Sequence, residues 1–171
     1  TRPEHPPRWR SPLIEIVLAL RSMKTSARDA VPILLGRIRA LRLDLQVLIL
    51  QTVFELGASP DEVTPLATEH FDAAIGQLAS GHGIQQLPVQ RRIVQDAGRL
   101  LLETDIAAAC RQRDHLRPWL TSQEPDQLLA ALIGIEGVAA VAEITVSDLI
   151  PLVAHSDPRV RQQSIWTLGR I

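Results

Sequence analysis

Glu69, His70 and Asp72, with His82 twelve residues beyond His70, bring together the side-chain types that hold a zinc ion. Their spacing does not suit that chemistry. On a helix His70 and Asp72 point to different faces, whereas helical ligand pairs sit at i, i+4, and His82 is flanked by glycines at no ligand spacing. These read as surface or loop histidines, and no metal or cofactor is expected. His155-Ser156-Asp157 contains the letters of a hydrolytic triad, but three consecutive residues cannot converge for proton relay, so Asp157 reads as a helix cap. Asp114-His115 is no stronger. Cys110 stands alone beside Ala108 and Ala109, with no cationic neighbour motif to lower a thiol pKa; it reads as a packing residue and excludes an internal disulfide. Asp61-Glu62 opens a helix, where two carboxylates oppose the positive end of its dipole. Neither "GRIRALRLD" nor "SGHG" forms a phosphate-cradling loop. No catalytic residue is nominated, and the expected function is non-catalytic.

Binding chemistry has better material. Arg37, Arg39 and Arg42, Arg91 and Arg92, Arg111, Arg113 and Arg117, and Arg159 and Arg161 fall near helix ends and would suit phosphate or carboxylate if stacking aligned them. A net charge of -1 and an aromatic content of 3% argue against nucleic acid as the main partner. Most of these arginines are expected to pair with acids on neighbouring helices. Trp166 lies two residues before Leu168 and so points away from that residue's apolar stripe, which makes it an interface-anchor candidate with Arg161 and Gln162 beside it, although packing in the core is the favoured reading of this ring. Trp119, next to Leu120, is expected to pack between helices.

The elements that must position these residues are helical. Asn is absent, and with it the Asn-Gly hairpin turn; no stretch alternates polar and apolar residues. Apolar-proline phrases recur around Pro32, Pro65, Pro118 and Pro151, at spacings of 33, 53 and 33 residues. A second phrase runs in step with them. Val160, Ser164, Leu168 and Gly169 share their spacing with Leu48, Thr52, Leu56 and Gly57, and with Val89, Ile93, Ala97 and Gly98. Four-residue spacing aligns each set on one helix face, and the closing glycine is expected to end the helix in a left-handed conformation. Leu128, Leu132, Glu136 and Gly137 form a fourth copy in which an acid stands at an apolar position. Ser11-Pro12, Ser59-Pro60 and Asp157-Pro158 mark helix starts, and Ser59 with Glu62 has capping-box spacing. The pattern predicts a leading helix near 11–24, then helix pairs near 28–57, 60–103, 105–140 and 143–171.

The closing stretch from Ser147 resembles the HEAT-repeat family through Pro151, Asp157, Val160, Arg161, Leu168 and Gly169. The resemblance is strong over that unit and rests elsewhere on apolar spacing and glycine placement. It implies an all-α, armadillo-like right-handed superhelix of about four helix pairs plus the leading helix. It also implies a protein-binding scaffold or regulatory module whose second helices line the concave face. The alternative it carries is a nucleic-acid-binding or enzyme-associated solenoid, similar to DNA glycosylases or tetrapyrrole-lyase subunits of that architecture. Residues 1–10 are expected to be a flexible lead-in and 11–171 the repeat domain, with further repeats or another domain following Ile171.

Charge is blocked along the chain. Residues 1–42 carry nine Lys or Arg against three acids, while 43–90 and 118–158 each carry six acids and no Lys or Arg. A linear stack would turn these blocks into bands. Arginine outnumbers lysine 17 to one, which is read as the composition of a GC-rich bacterial genome. No apolar run approaches the ~20 residues of a membrane span, and the expected location is cytoplasmic.

Overall fold

The computed structural model describes residues 12–82, 87–139 and 146–170. Thr1 to Ser11, Trp9 included, part of the glycine-flanked insert near His82, and Ile171 lie outside the described residues. Every regular element among those described is helical, and none is long and apolar enough to cross a membrane.

The chain divides into two compact units, Thr1–Ala58 and Ser59–Ile171. The physical break is local. Gly57 takes φ +95°, a left-handed conformation that costs glycine little, and Ser59 then restarts the backbone in an extended conformation before Pro60. The Glu62 carboxylate accepts the Ser59 backbone N–H at 2.9 Å, the reciprocal half of a capping box.

In the first unit α1 (Pro12–Met23) and α2 (Val31–Arg37) pack on α3 (Leu43–Glu55). Short 3-10 segments, Lys24–Ala30 and Ile38–Ala40, flank α2. Val17, Leu34, Ile38, Val47, Leu50 and Val53 form its core. Arg21 Nε donates to Glu55 at 2.8 Å and ties α1 to the end of α3.

The second unit contains α4 (Pro60–Ala79), α5 (Leu87–Thr104), α6 (Ile106–Leu116), α7 (Pro125–Gly137), α8 (Val146–Val153) and α9 (Pro158–Leu168). A 3-10 segment, Arg117–Thr121, follows α6. Consecutive helices pack on one another, α4 on α5, α5 on α6, α6 on α7 and α8 on α9, while α7 also packs on α4, α5 and α9. That position makes α7 the core element: all ten residues from Leu128 to Gly137 are buried. Burying these apolar side chains stabilises the unit at about 25 cal/mol per Å² removed from water.

The polar members of the recurring phrase are satisfied within their own helices. Thr52 Oγ1 donates to the Leu48 carbonyl at 2.8 Å and Ser164 Oγ to the Val160 carbonyl at 2.7 Å, so both hydroxyls can be buried. The closing glycines behave less uniformly than expected. Gly57 ends its helix with positive φ, but Gly98 lies inside α5, Gly137 is the last residue of α7, and Gly169 caps α9 at φ −75°. A Cβ on Gly98 would stand 2.4 Å from the Gly137 carbonyl oxygen, and one on Gly137 would stand 3.0 Å from that of Val94. These two glycines serve the close crossing of α5 and α7, a packing demand that the same spacing can satisfy in place of helix termination.

Candidate functional site

The acid that interrupts the fourth apolar phrase is the centre of the site. Glu136 sits in the last turn of the buried helix α7, and none of its side chain is exposed. A carboxylate removed from water is costly unless hydrogen-bonded and opposed by charge. Two helices, α5 and α9, supply those partners. From α5, Arg91 Nη2 donates to the two carboxylate oxygens at 3.0 and 2.7 Å, and Gln95 Nε2, one turn on, donates at 2.9 Å. From α9, Gln163 Nε2 donates at 2.8 Å, and just past that helix Arg170 Nε lies 3.0 Å away. The close approach at Gly98 and Gly137 brings the α5 backbone near enough for both of its side chains to reach.

Arg91 also supports the surface above. Its guanidinium carbon lies 4.3 Å from the centroid of the Trp166 ring, a cation-π contact that clamps one face of the indole. Trp166 remains 48% exposed and Ile165 55% exposed, so the ring is fixed while still presenting area to a partner. Arg91, Gln95, Ile165, Trp166, Gly169 and Arg170 line an open groove of about 480 Å³.

Of the residues expected to bind, Trp166 lies in this groove. Gln162 is exposed one turn earlier on α9 and is not among the lining residues. Arg161 projects elsewhere, about 140° around the helix from Trp166 at 3.6 residues per turn. Its Nη1 donates to the His155 and Ser156 carbonyls at 2.9 and 2.8 Å, which closes the turn between α8 and α9. Asp157 begins α9 by accepting the Arg159 N–H at 2.8 Å. The Arg159 side-chain bond, with that backbone bond, holds the Asp157 carboxyl below its usual range.

Several arginines beyond the groove are engaged, many of them within one element or with a residue at its edge. Arg92 meets Asp96 at 3.5 Å, Arg111 meets Asp105 at 3.3 Å and Arg113 meets Asp114 at 2.8 Å. Pairs between elements include Arg117 with Asp148 at 3.5 Å and Arg159 with Asp126 at 3.0 Å, besides Arg21 with Glu55. A second depression of about 420 Å³ contains the Arg117–Asp148 pair and also Asp114, so it has no surplus of positive charge.

The remaining candidates find structural explanations. His70, expected at the surface, is 2% exposed because it shares the inward stripe of Val63, Ala67, Phe71 and Ala74 on α4. His82 Nδ1 lies 3.0 Å from Ser80 Oγ. Among the described residues no group of three or more His, Cys, Asp or Glu is placed to hold a metal ion. Trp119 is half-buried, with its ring centroid 5.6 Å from that of His115. Burial raises the Asp72 carboxyl, partly offset by His115 and Gln112.

Sequence reasoning missed Glu136, Arg91, Gln95 and Arg170 as one cluster. The available signals were the acid in an apolar phrase and the i, i+4 pair Arg91 and Gln95. No family model, curated protein or solved structure matches the chain.

Proposed function

We propose that this chain is a non-catalytic binding module, a HEAT-like solenoid segment that takes a protein partner in the groove between α5 and α9. The observation that carries this reading is Trp166: a large aromatic side chain, half exposed, held on one face by a guanidinium that is itself anchored to a buried carboxylate. An aromatic fixed before binding loses little side-chain entropy on contact, which is the property of an interface anchor. Repeat-like stacking is supported by the pairing of consecutive helices and by the packing of α5 on α7 and α7 on α9. The single cysteine is in keeping with a reducing, cytoplasmic setting.

A benzophenone photo-crosslinker at Ile165 should give one discrete adduct in a lysate of the source cells, and the added substitution Trp166→Ala should reduce it at least about ten-fold. Trp166→Ala should leave the helical content and the cooperativity of melting unchanged. An unfolded variant, or an undiminished adduct, would defeat the reading. A salt-dependent shift of duplex DNA, lost in Arg170→Gln, would favour the nucleic-acid alternative instead.

A further inference from the structure

The groove combines an apolar wall with unbalanced charge. Two arginines, Arg91 and Arg170, face the single carboxylate of Glu136. Their positions divide the work. Arg91 is 18% exposed and contacts both carboxylate oxygens, while Gln95 and Gln163 each give one further bond, so Glu136 keeps three donor groups without Arg170. Arg170 Nε lies 3.0 Å from Glu136 Oε1, and 60% of its side chain is exposed at the rim. A guanidinium held at one edge presents its other edge as a ready fork for a carboxylate.

Gly169 shapes the space between the two walls. It lies between the turn carrying Ile165 and Trp166 and the residue Arg170, all lining the same groove. Its φ of −75° suits any L-residue. A Cβ there would meet its nearest atoms, the Trp166 and Ile165 carbonyl oxygens, at 3.6 and 3.7 Å, which is ordinary contact. Folding therefore does not demand glycine here, as it does at Gly98. The missing side chain leaves the groove floor open.

We infer that the groove is built for an acidic peptide segment of a partner protein, one in which an Asp or Glu lies next to a large apolar side chain. The acid would take the outer edge of Arg170 and the apolar neighbour would lie against Ile165 and the free side of Trp166, over Gly169. This rests on the binding reading of the groove and adds the chemistry of the occupant. Charge complementarity favours it: among the described residues the cluster has one positive charge in excess, and a carboxylate restores balance without disturbing Arg91.

A random dodecapeptide library displayed on phage, selected against the whole chain, tests both levels. Expected winners carry Asp or Glu within two positions of Leu, Ile, Phe or Trp. As free peptides they should lose at least about ten-fold in affinity to Arg170→Gln, the loss of one charge-assisted bond, and more to Gly169→Leu, which fills the floor. The melting temperature of Gly169→Leu should stay close to that of the parent chain. Peptides blocked by Gly169→Leu but lacking an acid, or indifferent to Arg170→Gln, would overturn the acidic-occupant inference and leave the groove reading standing. Peptides indifferent to Gly169→Leu, or no enrichment at all, would overturn both.

Discussion

Helices α7 and α9 carry the same phrase, Leu128, Leu132, Glu136, Gly137 against Val160, Ser164, Leu168, Gly169, and use it in opposite ways. The first is buried over ten consecutive residues and meets helices on several sides, whereas α9 buries only Val160, Gln163, Ser164 and Thr167 and leaves Ile165 and Trp166 exposed. The phase-matched glycines diverge accordingly, Gly137 lying against the Val94 carbonyl and Gly169 touching nothing closer than ordinary contact. A repeated pattern fixes which residues share a face. How many neighbours surround that helix then decides whether its remaining faces serve folding or recognition.

The contrast should break hardest at Glu136. Glu136→Ala strands Arg91, Gln95 and Gln163 without their shared acceptor, and removing one member of a buried ion pair costs about 3–5 kcal/mol. Chemical denaturation should show that loss with the second unit melting early. A loss below about 1 kcal/mol would mean that the arginines hydrate freely and that α7 does not organise the groove.

A smaller effect is expected at the start of α9. Asp157 has a folded pKa below its unfolded value of about 3.9, chiefly through its side-chain bond to Arg159, so its stabilisation is present above the unfolded pKa and is lost as pH falls through the folded one. Asp157→Ala should therefore cost about 1 kcal/mol at pH 7, typical of an N-cap, and the gap to the parent chain should close in strong acid. Asp72, raised by burial, works in the opposite sense, because its protonation as pH falls from neutral relieves the folded state. A gap that persists unchanged at pH 2 would show that the cap acts through something other than the carboxylate.

The sequence made the helical class readable because four-residue spacing, proline-led starts and the absence of strand signals all agree. The starts at Ser59 and Asp157 were legible for the same reason, since capping is local chemistry. What depends on neighbours was not. Gly98 read as a helix end and is instead a crossing point, because only the approach of α7 reveals that its missing Cβ is needed. Arg161 sits one residue from Gln162 in the chain, yet faces the α8 turn. The offset of Trp166 to Leu168 sets it off the apolar stripe, but core packing is the reading the sequence favours, and the ring is 48% exposed. Its clamp was not legible, since Arg91 lies 75 residues away in sequence. Glu136 looked like a blemish in an apolar phrase, and its value appears only when α5 and α9 close around it.

The division of labour between the two helices is tested most directly by comparing the thermal melting of Gly98→Ala with that of Gly169→Ala. At the α5–α7 crossing the added methyl must displace backbone, and overpacking of this kind costs about 1–3 kcal/mol, so the melting temperature should fall clearly. At Gly169 the same methyl enters open space in an unstrained conformation, and lower unfolded-state entropy should raise stability by up to about 1 kcal/mol, leaving the melting temperature equal or higher. Equal losses at the two positions would contradict the account, because Gly169 would then be structural and the groove floor would not be free for a partner.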